Sequence, residues 1–308
     1  MSNQYLLAIA LLIAVCAAAP VAQAAELSVQ PRQQVFYDLL VDGQPCLRTM
    51  ITPPDPADRE ETYKVYTHIF DFAGAASITK GPGGLYTHHR GLFIGWKTTT
   101  VEGKDYDTWH MKDGVSQRHV AWNDPEFGKN FARQSEEIEW YETEGKPFIR
   151  ETRTIRVDLS NEKMRVFDFG SRLVSQQGTI ELRGDLQHAG MQLRLANEVS
   201  EHQDSTQYIL PVGAKELDDD KVVGGWWACC SAVVGGKRYW ALHMTPSDHP
   251  TGEPVYSIRR YARFGSFFEP TLEEGKPLDL HFRIVISEEE LDQAACAKLY
   301  DAYNGGRK

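Results

Sequence analysis

Nowhere in these 308 residues do Lys and Arg gather into a run, and Asp and Glu outnumber them 43 to 33, for a net charge of −10 with His neutral. Binding a nucleic acid calls for a basic face that displaces counterions, so DNA and RNA are excluded as expected partners. A polybasic membrane anchor is excluded with them. No apolar run reaches the roughly 20 residues needed to span a bilayer. Cysteine is scarce, with five in all and none in C-x-x-C spacing, so the usual zinc-ribbon and thiol-redox motifs are missing. There is no G-x-S-x-G elbow, no Gly-rich phosphate loop with its Lys, and no H-E-x-x-H pair. Alternation of helical and strand patterns is also lacking, which argues against Rossmann and TIM-barrel architectures.

The segment from Leu6 to Ala19 is almost unbroken in its apolarity and ends near Ala22-Gln23-Ala24. That is the form of a cleaved secretory signal, so residues 1–24 are expected to be removed and the protein to be periplasmic or secreted from a bacterium. Cys16 would leave with the signal. Cys46, Cys229, Cys230 and Cys296 remain. Export permits disulfides among them in any of three pairings, and burial as small hydrophobes is the simpler reading.

The rest of the chain has the composition of a globular domain, 42% hydrophobic and 25% charged. Short β-rich runs recur between Gly, Pro, Asp and Asn, among them Leu85–Trp96, Phe148–Leu159, Val255–Phe264 and Leu278–Ile286. Dense strands with turn signals predict an all-β fold, a large antiparallel β-sandwich or supersandwich forming a single domain over residues 25–308. One helix is predicted over residues 287–304. Ser287-Glu288-Glu289-Glu290 reads as a capping box, Leu291, Ala295, Leu299 and Ala302 form an apolar stripe, and Gly305-Gly306 stops it. Asp218-Asp219-Asp220 reads as a solvated turn.

Three groups of residues carry chemistry. His88, His89 and Arg90 follow a Gly-rich stretch, where imidazoles can move protons and a guanidinium can hold an oxyanion. Placed on one strand, the two neighbouring histidines would face opposite ways. In Phe148–Leu159, Glu151 and Arg153 fall on the apolar face, which makes them a structural ion pair or the wall of a pocket with an activated carboxylate. Arg259 is the third, with Tyr261 beyond it. Trp96 and Trp109 offer faces for a sugar ring, and His110, His119 and His243 are further substrate contacts or, joined to His88 or His89, ligands of a divalent metal.

The run His88-His89-Arg90-Gly91-Leu92-Phe93-Ile94-Gly95-Trp96 resembles the secreted bacterial PmoA-like family. Trp109-His110, Glu151-x-Arg153, Asp248-His249-Pro250 and Arg259-x-Tyr261 extend the likeness. After this Tyr the family has Gly, where this chain has Ala262. The resemblance implies association with carbohydrate-degrading and sugar-oxidising genes, but it implies no catalytic set. The methane oxygenase in the family's name does not apply, since that enzyme lies within a membrane.

Together these features predict a secreted carbohydrate-active enzyme, a hydrolase or lyase of glycosides or keto-glycosides. His and Glu would transfer protons and Arg would stabilise an oxyanion, with no cofactor required. A non-catalytic glycan-binding protein and a metal-dependent sugar-processing enzyme are the alternatives.

Overall fold

The computed structural model describes residues 25–32 and 35–306, so the expected signal segment lies outside the described residues. Eighteen of the strands form two large sheets, and every pairing within them is antiparallel. The ten-stranded sheet runs, edge to edge, through Leu27–Arg32, Phe36–Val41, Gln44–Met50, Tyr66–Ile69, Leu92–Trp96, Ala189–Arg194, Arg263–Phe267, Val255–Ser257, Lys221–Val223 and Lys215–Leu217. The eight-stranded sheet runs through Gln207–Ile209, Trp227–Val234, Lys237–Met244, Leu278–Ser287, Met164–Ser175, Pro147–Asn161, Phe131–Tyr141 and Ser116–Phe127. A small third sheet joins Thr271–Leu272, Ile180–Arg183, Thr98–Val101 and Lys104–Tyr106.

The period-two alternation of each strand decides which side chains meet between the sheets. Leu92, Ile94, Trp96, Met191 and Leu193 from one sheet and Ile138, Ile155, Val157, Phe167 and Phe282 from the other share one fully buried apolar core. The fold is therefore the expected antiparallel β-sandwich. Among the described residues no helix is long and apolar enough to cross a membrane.

The C-terminal helix is present but begins later than its sequence suggests. It spans Gln293–Gly305, and its N-cap is Asp292, whose carboxylate accepts from Ala295 N at 2.7 Å. Ser287 instead ends a strand, and its hydroxyl accepts from Glu289 N within a turn. Pairing with Lys237–Met244 and Met164–Ser175 holds Ser287 in the sheet, which outweighs a local capping signal. The helix covers the outer face of the eight-stranded sheet, where Cys296 and Tyr303 pack with Trp227, Leu242 and Val285. Cys46, Cys229, Cys230 and Cys296 are free thiols, all buried.

Two further expectations change. Leu85–Trp96 is extended only from Leu92, and residues 85–91 form a looped turn. Val255–Phe264 divides into two strands, Val255–Ser257 and Arg263–Phe267. The turn between them is closed by Ala262 N donating to Arg259 O at 2.8 Å. Ala262 there has φ of 54°, in the left-handed region that favours glycine.

Candidate functional site

Because Leu92, Ile94 and Leu193 point into the core, their neighbours Phe93, Gln192 and Arg194 occupy the other face of the ten-stranded sheet. Arg194 stands directly across from Arg263 in the strand register. Three loops close over this outer face, carrying His88 and His89, His110, and His188. Glycine permits the approach. A Cβ on Gly95 would lie 2.5 Å from Thr108 O, and one on Gly91 would lie 2.4 Å from Thr67 O.

Between loops and sheet lies a hollow of about 430 Å³, lined by Tyr86, His88, His89, His188, Arg259, Tyr261 and Arg263, with Gln187 and Asp220. Both neighbouring histidines reach it. They sit in a turn, closed by His89 N donating to Tyr86 O, so strand alternation does not separate them. Their rings meet edge to face at 4.3 Å. Arg90 braces this turn from behind. Its guanidinium donates to His89 O at 3.1 Å and Glu60 O at 2.6 Å and lies against the rings of Tyr63 and Tyr66. Lys80, also buried, donates to Gly81 O, Gly83 O and His89 O, and burial together with Arg90 and Arg194 pulls its ammonium down to about 7.

The hollow is cationic in an acidic protein. Arg194 and Arg263 are almost wholly buried. All three guanidinium nitrogens of Arg194, and Nε of Arg263, lack a hydrogen-bond partner among the described residues. Arg263 Nη1 donates to Ser257 Oγ at 2.9 Å and Gln192 Oε1 at 3.2 Å, both neutral. Burial is the first cause that lowers both guanidiniums, Arg194 to about 10. Arg259 is ion-paired with Asp220, so the expected solvated turn at Asp218-Asp219-Asp220 supplies a wall of the hollow.

Three imidazoles meet beside it. The ligand nitrogens of His88, His110 and His188 lie within 4.8 Å of one another. His110 Nδ1 bonds Asp107 Oδ2 at 2.8 Å, and His188 Nδ1 bonds Asp185 Oδ1 at 2.5 Å. Both acids remain carboxylates. Burial works against each anion, and hydrogen bonds from His110 and Trp109 to Asp107, and from Lys97 and His188 to Asp185, outweigh it. Burial, then His110, Lys64 and His188, holds His88 down to about 2. Burial, then Arg263, His88 and Arg194, holds His89 well below the usual imidazole range. His88 and His89 are thereby held in the neutral form.

Seven expected site residues lie elsewhere or act differently. Glu151 and Arg153 are sealed in the core as a bidentate pair with contacts of 2.9 Å. The carboxylate also accepts from Trp140 Nε1 and Ser171 Oγ, and Arg153 donates to Val65 O. No oxygen of Glu151 remains for a substrate. Trp96 is fully buried, with Nε1 bonded to Phe268 O at 3.0 Å, so its face cannot meet a sugar. Trp109 is fully buried beneath His89 and Phe93. His119 bonds Glu136 at 3.0 Å and lies against Trp122. His243 is buried between Tyr256 OH and Met191 Sδ. Arg90 positions the histidine turn and does not line the hollow.

The residues that sequence reasoning missed are His188, Arg194 and Arg263. His188 carried a signal, since Asp185-Leu186-Gln187-His188 repeats the spacing of Asp107-Thr108-Trp109-His110. A second groove, of about 450 Å³, lies on the outer face of the eight-stranded sheet among Thr152, Arg156, Arg172, Asp279 and Arg283. Its charges satisfy one another, Arg172 with Asp279 and Arg283 with Asp168. It has no such concentration of unpartnered donors.

Heparan sulfate lyase HepC from Pedobacter heparinus is similar at 11% identity and a TM-score of 0.37, over 85% of this chain and 37% of the lyase, in a mutant form. A GalM/aldose epimerase homologue from C. elegans is similar at 10% identity and a TM-score of 0.33, over 86% of this chain and 98% of that one. The chain thus spans little more than a third of the lyase's length. No curated protein matches the sequence. A family model described as a family of unknown function, DUF6807, matches residues 37–301, and the chain belongs to that family.

Proposed function

We propose that this protein is a carbohydrate-active enzyme whose substrate is a sugar bearing a carboxylate or a carbonyl, and that it acts by elimination or isomerisation. The observation that carries this reading is the pair Arg194 and Arg263, opposed across two strands and buried with unpartnered donors. Like charges facing one another in a sheet repel, and a buried cation without a counter-charge costs several kcal/mol. An anionic ligand in the adjoining hollow relieves both. Arg263 and Arg259 face that ligand directly, while Arg194 lies behind the ring of Tyr261, 4.8 Å from its centroid.

The shape suits a sugar. A hollow of this volume takes one or two rings, and the half-exposed Tyr86 stands at its mouth with its ring 5.0 Å from Tyr261. Such faces stack on the C–H side of a pyranose. The chemistry follows from the groups present. A neutral imidazole at His89 accepts a proton from the carbon beside the carboxylate or carbonyl, and the guanidiniums stabilise the resulting enolate oxygen. Among the lining residues the only carboxylate is Asp220, engaged by Arg259. Hydrolysis by two carboxylates flanking the bond therefore has no support in this hollow.

The test is a panel of uronates, uronate-containing oligosaccharides and keto-glycosides incubated with the protein, read by mass spectrometry and by the ultraviolet absorbance of an unsaturated sugar. Turnover should appear with members of this panel and fall at least about 100-fold in His89→Gln, the span of one acid–base group. Saturable binding of these sugars without any product identifies a glycan-binding protein instead and ends the enzymatic reading.

A further inference from the structure

We propose that His88, His110 and His188 bind one divalent transition-metal ion of the zinc class. The inference is independent of the sugar reading, because it rests on the ligand set alone.

Two of the rings are held in place by carboxylates. Asp107 accepts from Nδ1 of His110 and Asp185 from Nδ1 of His188, so Nε2 is the nitrogen each ring has left to offer an ion. The third nitrogen is His88 Nε2, buried and without a hydrogen-bond partner. One nitrogen from each of the three rings lies within 4.8 Å of the others, close enough to share a single ion. Nitrogen bonds to zinc are about 2.0–2.1 Å, so tetrahedral ligands stand about 3.3 Å apart, and a small closing of the rings completes the geometry.

A carboxylate holding the far nitrogen of a ligating histidine orients the ring and strengthens it as a donor. Here two separate loops supply that arrangement with the same Asp-x-x-His spacing. An all-imidazole set suits zinc, cobalt, nickel, copper or iron and not magnesium or calcium, which take oxygen. The two carboxylates offset the charge of the ion. With three protein ligands, one position stays open, as in catalytic rather than structural sites. Because His88 and His188 line the hollow, that position faces it and would take water or a sugar oxygen.

The experiment uses the whole protein, expressed without a histidine tag and stripped with chelator. Co²⁺ is titrated in and followed by its visible absorption, and Zn²⁺ by calorimetry. One ion per chain is expected, with binding lost in His110→Ala. Asp107→Asn and Asp185→Asn should each weaken it about 10- to 100-fold. His202→Ala, on an exposed turn, serves as the control and should bind as the wild type. Circular dichroism verifies folding. Should His110→Ala not fold, Asp185→Asn decides, since Asp185 is half exposed on its turn. The inference is overturned if the wild type shows no saturable binding, or if folded variants bind as it does. Neither result bears on turnover of the sugar panel.

Discussion

His110 and His188 belong to different loops, yet their ring centroids lie 5.0 Å apart and each is tied through Nδ1 to the Asp three residues before it. The duplication puts two carboxylate-held rings at the edge of a hollow that also holds His88, His89 and a group of buried guanidiniums.

Arg194→Leu should raise stability by at least about 1 kcal/mol while weakening sugar-acid binding. It removes a buried, unpaired cation and with it one of the opposed charges that favour an anion. Thermal melts and calorimetry on the same preparations check both halves. A destabilised variant that binds normally would show the arginine to be a packing element.

Glu151→Gln should destabilise by about 3–5 kcal/mol, the cost of leaving one partner of a buried ion pair alone. Turnover per folded molecule should be unchanged, since the carboxylate is sealed from the hollow. Urea unfolding with active-site titration separates the two effects. Loss of turnover in a fully folded variant would return Glu151 to the chemistry.

Gly95→Ala should cost about 1–3 kcal/mol, typical of overpacking a closed site. The added Cβ meets Thr108 O at 2.5 Å and pushes on the loop that carries Asp107 and His110. Its Co²⁺ affinity should fall as well. Unaltered melting and unaltered metal binding would refute this account of the loop.

Stability should fall on acidification between about pH 6.5 and pH 4. Burial lowers His68 to about 4, helped by Arg48. Burial lowers His243 to about 3 and His249 to about 4. Below 6.5 the unfolded chain takes up protons that the folded rings refuse, so unfolding gains by up to about 1.4 kcal/mol per pH unit for each such ring. Above 6.5 both states are neutral at these sites, and the effect vanishes. Urea midpoints at stepped pH measure it, and His68→Gln should flatten the slope. A midpoint constant from pH 7 to pH 5 would contradict the buried, neutral state.

The fold was legible because alternation and turn residues are local signals. The period-two pattern of Phe148–Leu159 placed Glu151 and Arg153 on the inner face, and there they lie. What alternation could not say is whether that face met a pocket or another sheet, and packing against Trp140 and Ser171 made it core. His88 and His89 stood out as polar groups beside a Gly-rich stretch and Arg259 as a charge on an expected strand, although all three lie in turns between strands. Arg194 and Arg263 were invisible as a pair, because the register that opposes them joins segments far apart in the chain. His188 stood in a spacing that matched His110, a weak signal that acquires meaning only when two loops fold together.

The most direct measurement is a calorimetric titration of galacturonate, glucuronate and a keto-glucoside into the wild type and into Arg263→Met. We expect saturable binding of at least one of them to the wild type and its loss, by at least tenfold, in the variant. If none of the three binds, or if binding survives Arg263→Met undiminished, the hollow is not a site for anionic or carbonyl-bearing sugars.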